Sequence, residues 1–123
     1  MNKMYIVVNQ DLKMGKGLTS AQVAHAVFDH MDCMIKQCLA KKYPDDVDAE
    51  LFDLSYNIDY FRNNGNGMII LQAPEEQLLE FQKEGYVTVI DRLMDSKVTA
   101  VNLGSFNDEN KPDFIKELKL LGR

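Results

Sequence analysis

The residues best placed to do chemistry lie in the segment Lys13-Met14-Gly15-Lys16-Gly17. Two lysines interleaved with two glycines, just ahead of a long amphipathic stretch, have the makings of an anion site. Backbone N–H groups at a helix start lack intrahelical partners, the helix dipole adds positive potential, and glycine lets a ligand approach the chain closely. Lys13 and Lys16 would supply mobile positive charge, and Gly15, Gly17 and Thr19 complete the candidate phosphate-binding set. The spacing departs from that of a P-loop, which needs two glycines separated by four residues and followed by Lys and Ser/Thr, so triphosphate hydrolysis of that kind is excluded.

The elements that must position this loop are legible on either side of it. Residues 4–8 form a short apolar, β-branched run that reads as a buried strand. Thr19, with Gln22 three residues on, has the pattern of a capping box. Ala24, Val27, Phe28, Met31, Ile35, Cys38 and Leu39 follow at spacings of three and four, predicting an amphipathic helix that packs on a sheet and runs to about Lys42. Residues 45–63 are acidic with a weak helical pattern, and 63–67 read as a turn. Residues 68–71 predict a second strand, and Pro74 opens a helix that carries Leu78, Leu79 and Phe81 inward and ends at Gly85. Residues 86–90 predict a third strand that could reach Met94, Asp95-Ser96 a turn, 98–103 a fourth strand, and 113–121 a closing helix. The expected architecture is a single α/β domain, a four-stranded mixed sheet with helices on both faces and an acidic helical insertion at about 43–63.

Composition narrows the function classes. The net charge is −5, which disfavours a general nucleic-acid binder, since phosphate affinity comes mostly from Lys and Arg. The charge is uneven, however. Residues 43–63 hold six carboxylates against Arg62, which accounts for all of the net charge, whereas residues 11–42 hold five lysines against three aspartates. A locally basic face is therefore compatible with an acidic chain. No apolar run approaches the roughly 20 residues of a membrane span, and the first ten residues lack a signal-peptide layout, so a cytoplasmic location is expected. Cys33 and Cys38 have no companion histidine pair and do not read as a zinc site. The carboxylates of 43–63 read as a solvated face, and no metal or cofactor is called for.

The loop then matches a longer pattern. Asp11-Leu12-Lys13-Met14-Gly15-Lys16-Gly17, followed by Ala21-Gln22 and His25-Ala26, resembles the signature of the type II peptidyl-tRNA hydrolases. The likeness continues through Leu71-Gln72-Ala73-Pro74, Val101-Asn102-Leu103-Gly104 and Glu117-Leu118-Lys119-Leu120. It implies a four-stranded sheet flanked by helices, often dimeric. It also implies hydrolysis of the ester joining a peptide to the terminal ribose of tRNA. Such a reaction needs an activated water, a group facing the developing oxyanion, and cations for phosphate. Carried over position by position, the resemblance makes Lys16, Gln22, His25 and an aspartate the catalytic candidates, with Asp91 and Asp95 both eligible for the last role.

The pattern is incomplete in places. A second family lysine is replaced by Leu18, an arginine before Asp11 by Asn9-Gln10, and the loop after the third strand is short and lacks its threonine, Thr99 lying in the next strand. Two main readings follow, beside a third in which the chain is a dimeric scaffold whose loop only makes a subunit contact. One is a hydrolase of peptidyl-tRNA, with tRNA or another phosphate-bearing ligand as partner and a homodimer as the working form. The other is a catalytically degenerate module of the same fold that recognises a small anion, an RNA end or a protein.

Overall fold

The computed structural model describes residues 3–39 and 67–121, so the acidic segment 43–63 lies outside the described residues. Five strands form one sheet in the order β3-β4-β1-β2-β5. They are β1 (Lys3–Asn9), β2 (Met68–Ala73), β3 (Val87–Asp91), β4 (Lys97–Phe106) and β5 (Lys119–Leu120). β1 runs parallel to β2 and antiparallel to β4, so the sheet is mixed. Six consecutive residues of β1 are buried, as expected of a central strand covered on both faces.

Helix α1 (Lys16–Leu39) and helix α2 (Glu75–Lys83) cover opposite faces. Met4, Ile6, Val8, Val89 and Ala100 pack with Ala26 under α1. Tyr5, Val7, Leu71, Ala73, Val101 and Leu103 pack with Leu78 and Phe81 of α2 on the other face. The alternation along β1 feeds the two cores in turn, the period-2 rule of a strand.

Six expectations are corrected. The sheet has five strands, not four, and the segment expected as a closing helix is a 3-10 turn at Asp113–Glu117 followed by β5. Nine residues after a proline make a marginal helix, whereas β2 offers an open edge; Lys119 and Leu120 take it opposite Gln72 and Leu71. The capping box does not form, because α1 begins at Lys16 and its first turn closes with Thr19 N–H donating to the Gly15 carbonyl at 2.9 Å. The predicted apolar stripe of α1 is only partly buried. Ala26, with Val23 and Val27, faces the sheet, while Phe28 is 69 % and Ile35 41 % exposed and Ala24 is exposed. A long helix set on a short sheet buries one narrow face, and Gln22, a polar residue, occupies part of it. Leu79 of α2 is likewise exposed, the inward side being Leu78 and Phe81. Finally, β3 ends at Asp91 and the chain turns through a 3-10 segment, Arg92–Met94, into the Asp95-Ser96 turn.

Candidate active site

The loop is built by side chains at the end of β1. Asn9, fully buried, donates from Nδ2 to the Val98 carbonyl at 2.8 Å and accepts from Asp11 N–H at 3.0 Å. This pins the chain exit and starts a 3-10 turn at Gln10–Leu12. Asp11 then reaches across to accept from Glu75 N–H at 2.8 Å. It caps α2 from 64 residues away, a role Pro74 cannot fill. Lys13 follows in a left-handed conformation, φ 48, which is uncommon for a residue with a Cβ.

At the α1 N-terminus, the N–H groups of residues 16–18 find no acceptor among the described residues. Thr19, the expected cap, instead donates its hydroxyl to the Met14 carbonyl at 3.3 Å. A Cβ placed on Gly15 or Gly17 would meet nothing within 4 Å, and neither glycine has a positive φ. Their own chain therefore does not require glycine there. The missing side chains leave the orphan N–H groups open to a ligand. Lys13 and Lys16 are exposed and form no ion pair among the described residues.

A second group of candidates meets 69 residues apart in sequence. Gln22 is 1 % exposed; its Nε2 donates to Asp91 Oδ2 at 2.7 Å, and its Oε1 accepts from the Thr99 hydroxyl at 2.7 Å. Thr99 Oγ1 also lies 3.4 Å from the Val89 carbonyl. A hydroxyl has one proton, and the shorter contact takes it. The other Asp91 oxygen accepts from Leu93 N–H at 2.8 Å. Both oxygens and the whole Gln22 amide are thus oriented by fixed partners, and no buried polar side-chain atom among the described residues is left unpaired.

The strand register explains how Thr99 joins this chain. Val89 opposes Ala100 and Ile90 opposes Val98, so Thr99 is the extra residue of a β-bulge. A bulge re-aims a side chain. Regular alternation would point Thr99 to the face of Val101; the bulge turns it to the α1 face beside Ala100.

The Gln22–Asp91 pair lies at a cleft of about 250 Å3 that His25, Asp29, Arg92 and Leu93 also line. Gln22, His25 and Asp29 share one face of α1 at spacings of three and four, and Leu18 stands one turn before Gln22 on that same face. The fold thus brings Gln22, His25 and Asp91 together. Lys16, Lys13, Gly15, Gly17 and Thr19 belong to the neighbouring loop and do not line the cleft. Asp95 does not line it either; it is exposed, at φ 57, in the turn to β4. Thr99 and Arg92, which join this group, were not candidates in the sequence. Only the bulge could have pointed to Thr99, and a bulge leaves no mark in a run of strand-forming residues. Among the described residues no cluster of three or more His, Cys, Asp and Glu could hold a metal, and no helix is long and apolar enough to cross a membrane.

Compared with known proteins, the chain matches the family model described as Peptidyl-tRNA hydrolase PTH2 over residues 2–121. No curated protein matches it.

Proposed function

The chain belongs to the PTH2 family of peptidyl-tRNA hydrolases, and from that premise we propose that it hydrolyses the ester between a peptide and the terminal ribose of tRNA. The observation that carries this reading is the Thr99–Gln22–Asp91 chain of 2.7 Å hydrogen bonds at the cleft. It holds a carboxylate in one orientation, as an activated water requires. Asp91 takes a proton from water as the water oxygen bonds to the ester carbonyl carbon. The carbon–ribose oxygen bond then breaks, and the proton passes to the departing ribose oxygen. The orphan N–H groups of residues 16–18 and the Lys16 ammonium face the negative charge of the phosphate or the oxyanion. His25 orients the substrate from the exposed side of α1, and Asp91 rather than Asp95 fills the aspartate role because it alone adjoins Gln22. A cytoplasmic location suits such a substrate.

Leu18 favours a second reading, the degenerate binding module, because it puts an apolar side chain on the cleft face where the resemblance calls for a lysine. Release of labelled peptide from peptidyl-tRNA tests both. Cleavage by the wild-type chain, abolished in Asp91→Asn and raised about tenfold or more in Leu18→Lys, supports the hydrolase. No release at high enzyme concentration, with salt-sensitive tRNA binding that Lys16→Ala weakens, supports the module instead.

The working form in this proposal is a homodimer. Ala21, Ala24, Phe28 and Ile35 line the outer face of α1 at heptad spacing. An antiparallel copy centred on Phe28 would set each small Ala21 against a large Ile35 of its mate. That pairing of small with large is what close helix packing needs.

A further inference from the structure

A larger cleft, of about 330 Å3, opens on the α2 side of the sheet at the carboxyl ends of β1 and β2. The topology creates it. β1 and β2 are parallel neighbours, yet the chain leaves β1 for α1 on one face and β2 for α2 on the other. Connections that diverge from adjacent strands leave a crevice, and open α/β sheets take their ligands there.

The floor of the cleft is Phe81, Phe114 and Leu118, with the two phenyl rings 5.6 Å apart and tilted by 38°. The rim carries three carboxamides, Gln10, Gln72 and Gln77. Gln72 spends its Nε2 on the Leu120 carbonyl at 3.2 Å, while the side-chain amides of Gln10 and Gln77 make no hydrogen bond among the described residues. The two charged residues at the mouth, Glu117 and Lys119, are of opposite sign, so the cleft prefers neither an anion nor a cation.

The geometry points to a nucleobase site: the cleft takes one unstacked purine or pyrimidine against Phe114 and Leu118, its edge hydrogen-bonded by Gln10 and Gln77. An aromatic floor ringed by neutral groups that both donate and accept matches a flat, uncharged heteroaromatic ring. The volume is at the small end for ligand pockets, enough for a single base. Gln10 opens the turn that leads directly into Lys13, so one segment serves a base here and a phosphate at the loop. A peptide strand is the poorer fit, because strand addition needs an open sheet edge and β5 already pairs with Leu71 and Gln72. The inference rests on the hydrolase reading only for the origin of the base, since an unpaired RNA terminus and a free nucleotide present the same ring.

The test is a titration of the full-length 15N-labelled protein with adenosine, AMP, a single-stranded RNA, the same RNA lacking its 3′-terminal base, and a tripeptide amide. Nucleoside is expected to shift the side-chain amide signals of Gln10 and Gln77. The intact RNA is expected to bind about tenfold more tightly than its abasic form. Gln77→Leu and the same-shape Gln77→Glu should each remove that tenfold difference while leaving inorganic phosphate binding at the loop unchanged. AMP binding as tightly as intact RNA supports a free nucleotide as the occupant; tighter RNA binding supports an RNA terminus. Unmoved glutamine signals, equal affinity for the abasic RNA, or shifts with the tripeptide alone would overturn the site. A chain that never cleaves peptidyl-tRNA leaves these outcomes unaffected, so the two readings fail separately.

Discussion

Thr99→Val deletes one hydroxyl at nearly constant volume, and its consequence reaches Asp91 through Gln22. Thr99 is 0 % exposed, and among the described residues its hydroxyl is the one donor to Gln22 Oε1. Without it that oxygen is buried and unpaired, at a cost of about 1–3 kcal/mol. Valine fills nearly the same volume, so a loss of about 2 kcal/mol is expected. For a domain of this size that is a fall in Tm of roughly 8 °C. The Gln22 amide then loses one of its two anchors, and Asp91, still held by Leu93 N–H, is oriented less firmly. Peptide release should slow by about tenfold, close to 1.4 kcal/mol in barrier, with KM little changed. Thr99→Ser, which keeps the hydroxyl, should retain the rate. In combination with Asp91→Asn the losses in Tm should be less than additive, because both act through Gln22. Thermal melts and single-turnover release on the four variants make the measurement. Wild-type turnover in Thr99→Val, or strict additivity in the double variant, would refute the relay.

Three further outcomes are expected. Phe28→Glu puts a charge at the centre of the exposed α1 face and should shift sedimentation from dimer to monomer; a wild-type chain that sediments as a monomer at high concentration counts against the dimer. Burial holds the His30 pKa below its ordinary 6.5, so between the two values the unfolded chain binds more protons; the stability this residue confers is complete above pH 6.5 and declines as the pH falls below it. The other titratable groups in its crevice are Cys33 and Tyr86. His30→Asn should therefore flatten the pH dependence of Tm below 6.5, and an unchanged slope would refute the assignment. Asp95 and Ser96 both hold positive φ, 57 and 55, the combination for which a two-residue turn prefers Asp-Gly; Ser96→Gly should stabilise by about 0.5–1 kcal/mol, with chemical denaturation as the readout.

Much of this protein was open to a reading of residue order. β1, its loop, α1, β2, α2 and the Asp95-Ser96 turn follow from runs and breaks that act within a few residues. The failures came where a distant partner outbid a local preference. Thr19 and Gln22 have the spacing of a capping box, yet Gln22 is drawn to Asp91 and Thr99, and the helix starts three residues earlier. Residues 113–121 have helical spacing, yet an open sheet edge claims Lys119 and Leu120. The α1 stripe shows a period but not which part of it meets the sheet.

The same division runs through the two candidate sites. The lysine and glycine loop is a local device: residue types, spacing and the start of a helix determine it, and so the sequence alone located it. The cleft beside it depends on a β-bulge that turns Thr99 to the face of Gln22, and the second cleft depends on β1 and β2 sending their helices to opposite faces. Neither a register shift nor a choice of face is written in any one segment. Both are set by how strands far apart in the chain pair and by which core each side chain can fill, so only the tertiary structure decided them.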